Sequence, residues 1–207
     1  MSAPQAELDF FYPIVPDLAW LKRIVPLGVR TVQLRLKEAS AERIRHEIVG
    51  SLAVCAANDC QLIVNDYWRE ALALGADYVH LGQEDLAAAD VAAIHAAGVR
   101  LGISTHSLEE LEIALAARPD YVALGPIYET RLKVMKWAPQ GLDRIRTWKT
   151  RVGALPLVAI GGLTPERADA VRAAGAYSLA VITDFFTHPD PEARVAQWLA
   201  WARRQKS

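Results

Sequence analysis

Gln33, Arg35 and Lys37 alternate through the stretch Thr31 to Lys37. A period of two sends all three to one face of a strand. Two cations at a strand end are costly to desolvate unless an anion meets them. The anion is either a carboxylate of the chain, Asp66 or Glu84, or a bound ligand, and the ligand is favoured. Two further apolar runs end as abruptly: Leu62, Ile63 and Val64 lead into Asn65 and Asp66, while Tyr78 and Val79 lead to Gln83, Glu84 and Asp85. Carboxylates from neighbouring strand ends can share one Mg²⁺, which keeps several waters and takes further ligands from phosphate. Asp66 and Asp85 each precede a helical pattern, so either alone suits helix capping. Together with Arg35 and Lys37 they point to a polyphosphate held partly through a divalent metal.

Three weaker signals lie further along. Gly161-Gly162 and Ile182-Thr183 follow the seventh and eighth apolar runs. Barrel folds often bind phosphate there through backbone N–H groups, although Gly-Gly also serves ordinary turns. Ser104-Thr105-His106 offers a hydroxyl and an imidazole, but neighbouring residues on a strand end point opposite ways and no acid partner is evident. Ser104 is therefore read as a ligand contact and His106 as a supporting or capping residue. His46, His95 and His188 read as surface or helix-packing residues.

The elements that must position these groups alternate regularly. Apolar runs at Phe10 to Val15, Thr31 to Leu36, Gln61 to Val64, Tyr78 to Leu81, Arg100 to Ile103, Tyr121 to Leu124, Leu157 to Ile160 and Ser178 to Ile182 read as buried parallel strands. Between and after them, helical spacing covers Leu18 to Leu27, Ala39 to Asn58 with Ser40 as N-cap, Tyr67 to Leu74, Leu86 to Ala97 and Leu108 to Ala117. It resumes over Leu142 to Thr150, Pro165 to Ala174 and Pro191 to Arg204. Glu109, Glu110 and Glu112 are expected on the outer side of their helix. A long loop, Ile127 to Gln140, carries Arg131, Lys133 and Lys136, and its length and charge suggest closure over a ligand. Eight strand–helix units without a linker predict an α/β fold, a compact (β/α)8 TIM barrel in one domain over residues 1–207; an open doubly wound sheet is the alternative. Ligands bind at the carboxyl ends of the strands in both.

Composition bounds the remainder. The 207 residues carry a net charge of −1, which gives no reason to expect a nucleic-acid or membrane surface. Cys55 and Cys60 read as small buried thiols, and a reducing, cytoplasmic setting is expected. The first residues lack the basic and apolar regions of a secretory signal, and no apolar run approaches the roughly 20 residues of a membrane span. A homo-oligomer stays open.

Lined up in order, QLRLK (Gln33 to Lys37), LIVNDYW (Leu62 to Trp68), GADYVHLGQEDL (Gly75 to Leu86), LGISTHSLEE (Leu101 to Glu110), DYVALGPIYET (Asp120 to Thr130), APQGL (Ala138 to Leu142) and VAIGGL (Val158 to Leu163) resemble the thiamine phosphate synthase family almost end to end. The resemblance implies a (β/α)8 barrel that joins 4-amino-2-methyl-5-hydroxymethylpyrimidine diphosphate to a thiazole phosphate, releasing pyrophosphate. It implies that Gln33, Arg35, Lys37, Asn65, Ser104 and Lys133 hold the pyrimidine diphosphate, with Arg35, Lys133 and Ser104 taking part in catalysis. Asp66 and Asp85 would bind Mg²⁺, and Thr130, Gly162, Ile182 and Thr183 the thiazole phosphate. Both partners are small molecules.

The chain departs from the family pattern in two places. Thr130-Arg131-Leu132-Lys133 stands where Thr-x-Thr-Lys is usual, after Glu129 in place of a proline, and Leu132 has no side-chain donor. Thr183 stands where serine is usual, which keeps the hydroxyl. A thiazole tautomerase shares the barrel and phosphate site but has no use for a diphosphate-and-metal cluster. A non-catalytic binder of thiamine intermediates is the rival from outside enzymology.

Overall fold

The computed structural model describes residues 8–129 and 137–206. Its eight strands form a closed barrel in sequence order, each parallel to its neighbours. The first half runs β1 (Phe11–Val15), α1 (Leu18–Ile24), β2 (Thr31–Leu34), α2 (Ala41–Ala57), β3 (Gln61–Asn65), α3 (Trp68–Leu74), β4 (Tyr78–Leu81), α4 (Gln83–Ala88) and α5 (Val91–Ala96). The second runs β5 (Arg100–Thr105), α6 (Leu108–Ala116), β6 (Tyr121–Leu124), α7 (Gly141–Val152), β7 (Leu157–Ile160), α8 (Pro165–Ala173), β8 (Ser178–Val181), α9 (Thr183–Phe186) and α10 (Pro191–Arg204). Closure comes from β1 lying against β8, where Phe11 pairs with Leu179 and Tyr12 with Ala180.

Period two divides the strands between two cores. Val32, Leu34, Val64, Val79, Leu81, Leu101 and Ile103 pack outward against the helices. Tyr12, Ile14, Ile63, Tyr78, Tyr121, Ala123, Val158 and Ala180 fill the barrel. That alternation makes every second residue an interior residue, so the register of each strand decides which polar groups reach the mouth.

A side-chain cap sets five of the ten α-helix starts among the described residues. Asp17, Ser40, Asp90, Ser107 and Asp190 each accept a hydrogen bond from a first-turn N–H of the helix that follows, which satisfies a donor the helix cannot. The segment expected as one helix over Leu86 to Ala97 is instead two. The first begins at Gln83 directly after Gly82, and Ala89 is extended; Asp90 then caps the second through Ala93 N at 2.9 Å. The last strand stops at Val181, and Thr183 opens the short α9 that the apolar pattern did not reveal. Glu110 does not sit on the outer side of α6. Its Oε2 turns back to accept from His106 N at 2.7 Å and meets His106 Nδ1 at 2.8 Å. Among the described residues no helix is long and apolar enough to cross a membrane.

Candidate active site

The barrel mouth opens into a cleft lined by Gln33 of β2, Arg35 just after it, Asn65 of β3, His80 of β4 and Ser104 of β5. Its apolar wall is Val158, Ile160, Ala180 and Ile182, and its floor includes Tyr12 and Tyr121. An apolar wall facing several convergent polar groups is the usual make-up of a small-molecule site. The expected alternation on β2 holds in part. Gln33 is buried and Arg35 half-buried, while Leu34 and Leu36 face the helices. Lys37 is exposed and does not line the cleft, because β2 has left the barrel wall by then. Among the described residues no carboxylate lies within ion-pair distance of Arg35 or Lys37, so the internal ion pair is not formed.

Asp66 and Asp85 meet beside this cleft and line a second one with Trp68, Arg69 and Glu70. The two clefts adjoin where Asn65 gives way to Asp66. Burial, then the charge of Asp85 and a hydrogen bond shared with it, push the Asp66 carboxyl up to about 6; Arg35 and a bond from Asn65 offset part of this. A pair of carboxylates so short of positive charge is a donor set that a cation would relieve. Helix capping does not account for either aspartate. Tyr67 occupies the N-cap position of α3, and Gly82 that of α4, with Asp85 inside the first turn. Asp66 takes a left-handed conformation, φ 64°, which Asp tolerates better than most residues. Its N–H is held by His80 O at 2.9 Å. Glu84 is exposed and takes no part. Among the described residues no group of three or more His, Cys, Asp or Glu gathers. Two carboxylates with room for water and phosphate oxygen fit Mg²⁺ better than a metal that needs a full protein cage.

The glycine pair has a clear local reason. Gly161 and Gly162 have φ of 101° and 64°, and a β-carbon on Gly162 would come within 2.5 Å of Glu129 O. The chain after β6 lies directly against them, with Tyr128 N bonded to Gly161 O at 3.0 Å. Ile182 lines the cleft, and Thr183 follows it at the start of α9. Gly162 and Thr183 follow the carboxyl ends of β7 and β8, the end of the barrel at which the cleft opens. Thr130, Arg131, Leu132, Lys133 and Lys136 lie outside the described residues. Beside that segment, Trp137 stacks on His106 with ring centroids 5.7 Å apart.

Sequence reasoning gave no role to Tyr12, Tyr121 and His80, which join Gln33 to Ser104. Gln33 Nε2 donates to Tyr12 Oη at 2.7 Å, Tyr12 and Tyr121 hydroxyls are 2.9 Å apart, and Tyr121 Oη meets His80 Nδ1 at 2.7 Å. His80 Nε2 lies 2.8 Å from Ser104 Oγ. Burial, with a smaller push from Arg35, lowers the His80 pKa to about 3. The signal was a polar residue at an interior position of an otherwise apolar strand. Period two places Tyr78 and His80 on one face, yet the polar partners come from β1 and β6 and are far away in sequence.

Residues 11–185 match the family described as thiamine monophosphate synthase. The chain is 60% identical over 193 residues to the thiamine-phosphate synthase of Rhizobium etli, covering 93% of this chain and 95% of that one. It is 47% identical over 190 residues to the thiamine-phosphate synthase of Neisseria meningitidis, with coverage of 92% and 93%. In three dimensions it resembles the thiamine phosphate pyrophosphorylase of Pyrococcus furiosus with a TM-score of 0.83 and 25% identity, covering 95% of this chain and 96% of that one. The family match and the two close relatives, taken with the barrel and its mouth, establish that the chain belongs to the thiamine monophosphate synthase family.

Proposed function

We propose that this chain is a transferase that joins 4-amino-2-methyl-5-hydroxymethylpyrimidine diphosphate to a thiazole phosphate, giving thiamine phosphate and pyrophosphate. One observation carries the site assignment: Arg35 lines the barrel-mouth cleft with Asn65, and the next residue, Asp66, lines a neighbouring cleft with Asp85. The carbon–oxygen bond of the pyrimidine methylene breaks and both electrons leave with the diphosphate. The aminopyrimidine spreads the resulting positive charge, and the thiazole nitrogen then supplies the electron pair of the new carbon–nitrogen bond. No strong base is needed, so orientation and charge stabilisation carry the rate.

Asp66 and Asp85 would hold Mg²⁺, which supplies positive charge to the diphosphate as it departs. Arg35 neutralises the same leaving group as a two-pronged donor. By family likeness Lys133 and Lys37 add charge from the rim. Gln33, Asn65 and Ser104 orient the pyrimidine, with Gln83 holding the Ser104 carbonyl at 2.6 Å. Thr130, Gly162, Ile182 and Thr183 are assigned to the thiazole phosphate. The apolar wall of Val158, Ile160 and Ala180 excludes water from the cation before the thiazole reaches it. A reducing, cytoplasmic setting is supported by the free thiols of Cys55 and Cys60.

Mixing both substrates with Mg²⁺ and following pyrophosphate tests the reading. Release that needs both substrates and the metal is expected. Isomerisation of the thiazole alone would make the protein a tautomerase, and tight binding with no turnover would make it a carrier.

A further inference from the structure

The chain of hydrogen bonds from Gln33 to Ser104 crosses the barrel floor and has both ends in the cleft. Each link has limited capacity: a phenol has one proton, and a neutral imidazole has one N–H and one bare nitrogen. Gln33 donates to Tyr12, so the Tyr12 proton goes to Tyr121. The Tyr121 proton goes to His80 Nδ1, which leaves the His80 proton on Nε2, pointing at Ser104 Oγ. Ser104 then accepts from within and has its own proton free for a ligand, while Gln33 has its amide oxygen free. Turning the Gln33 amide over reverses every link. Tyr12 then donates to the amide oxygen, His80 carries its proton on Nδ1, and Ser104 donates inward and offers only a lone pair to the cleft.

We propose that Gln33, Tyr12, Tyr121, His80 and Ser104 form a single two-state hydrogen-bond wire that makes the cleft discriminate between an aminopyrimidine and its oxo counterpart. With Gln33 Nε2 turned toward Tyr12, the cleft presents an acceptor at Gln33 and a donor at Ser104. An aminopyrimidine, with an exocyclic donor and ring-nitrogen acceptors, satisfies both. An oxopyrimidine lactam reverses donor and acceptor and can be matched only if the whole wire inverts. Tyr12, Tyr121 and His80 are therefore positioning residues that act through Gln33 and Ser104.

Two features show the wire is built into the barrel. All three linking rings are buried, so no water competes for the intermediate links. His80 also stacks on Tyr121, centroids 5.5 Å apart and planes 17° apart, which fixes the imidazole edge toward both partners. A neutral imidazole passes polarity from one nitrogen to the other. An imidazolium would donate at both ends and cut the wire.

The substrate named rests on the function proposed above, and the test separates the two readings. The 4-amino and 4-oxo pyrimidine diphosphates are each given to the wild type, Tyr12→Phe and Tyr121→Phe, with kcat/KM read from pyrophosphate release. Histidine ¹⁵N spectra are recorded for the wild type saturated with each pyrimidine alone. The wild type is expected to prefer the amino substrate by roughly 100-fold or more. Each phenylalanine variant should reduce that preference on the order of tenfold, with KM for the thiazole phosphate unchanged. His80 should carry its proton on Nε2 with the amino ligand and on Nδ1 with the oxo ligand. An unchanged preference in the variants, or the same His80 tautomer with both ligands, overturns the wire. If either variant fails to fold, the wild-type spectra decide. Absence of pyrophosphate release by the wild type would overturn the proposed reaction alone, since the tautomer measurement needs no turnover.

Discussion

A β-carbon placed on Gly102 would sit 2.1 Å from Cζ of Tyr121 and 2.5 Å from its hydroxyl. Gly102 and Tyr121 are also register partners across β5 and β6. The phenol thus occupies the space that a side chain at position 102 would fill, and its hydroxyl reaches Tyr12 and His80. Gly102→Ala should push the ring off its partners. We expect a stability loss of roughly 1–3 kcal/mol, read by urea unfolding, with KM for the pyrimidine diphosphate raised more than KM for the thiazole phosphate.

Asp85 and burial together make the ionised Asp66 carboxylate costly in the folded protein. The folded-state pKa of Asp66 is raised to about 6 from an unfolded value near 3.9. The stabilisation associated with its proton is therefore complete below about pH 4 and lost as pH rises through about 6. At pH 8 without metal the pair opposes folding, and Asp66→Asn should stabilise the metal-free protein. After allowance for solvent screening the gain is roughly 1 kcal/mol, a rise of about 2–4 °C in Tm. Mg²⁺ should raise the Tm of the wild type at pH 8 and leave that of Asp66→Asn unmoved. Calorimetric scans with and without the metal check both.

His80 acts with the opposite sign. Its folded pKa lies near 3, below the unfolded value of about 6.5, so its contribution is whole above pH 6.5 and lost as pH falls toward 3. Between pH 6.5 and 5 that amounts to about 2 kcal/mol. A His80→Gln variant should show a correspondingly shallower loss of stability on acidification, measured by urea unfolding at the two pH values.

Arg35 and Lys37 should separate sharply despite their matching spacing on β2. Arg35→Gln removes a guanidinium from the cleft rim and should lower kcat by roughly 100- to 1,000-fold. Lys37→Gln alters an exposed side chain and should shift mainly the salt dependence of KM. Steady-state pyrophosphate release at two ionic strengths distinguishes them.

The fold was legible because buried parallel strands leave a strong local mark. The continuous apolar runs ending in polar residues located all eight strands, and LVAI at Leu157–Ile160 was bounded to the residue. Helices broken by a single cap were less legible: the stop at Ala89 and restart at Asp90 sit inside an unbroken apolar pattern. The α9 turn has only four residues, too few to show a period. Glu110 was misplaced because its position on α6 reads as solvent-facing, while its carboxylate is drawn back to the His106 amide.

At the site, the sequence by itself determined which side chains stand at strand ends, because period two and the strand limits are local properties. Gln33, Arg35, Asn65, Asp66, Ser104 and Ile182 follow from that alone. Tertiary structure decided which of those ends converge. It turned Lys37 out to solvent, placed Asp66 against Asp85 rather than at a helix cap, and joined Gln33 to Ser104 through Tyr12, Tyr121 and His80. Those joins cross β1, β2, β4, β5 and β6, and a hydrogen bond between distant segments leaves no periodic trace in either one. Closing the barrel is what brings them within reach.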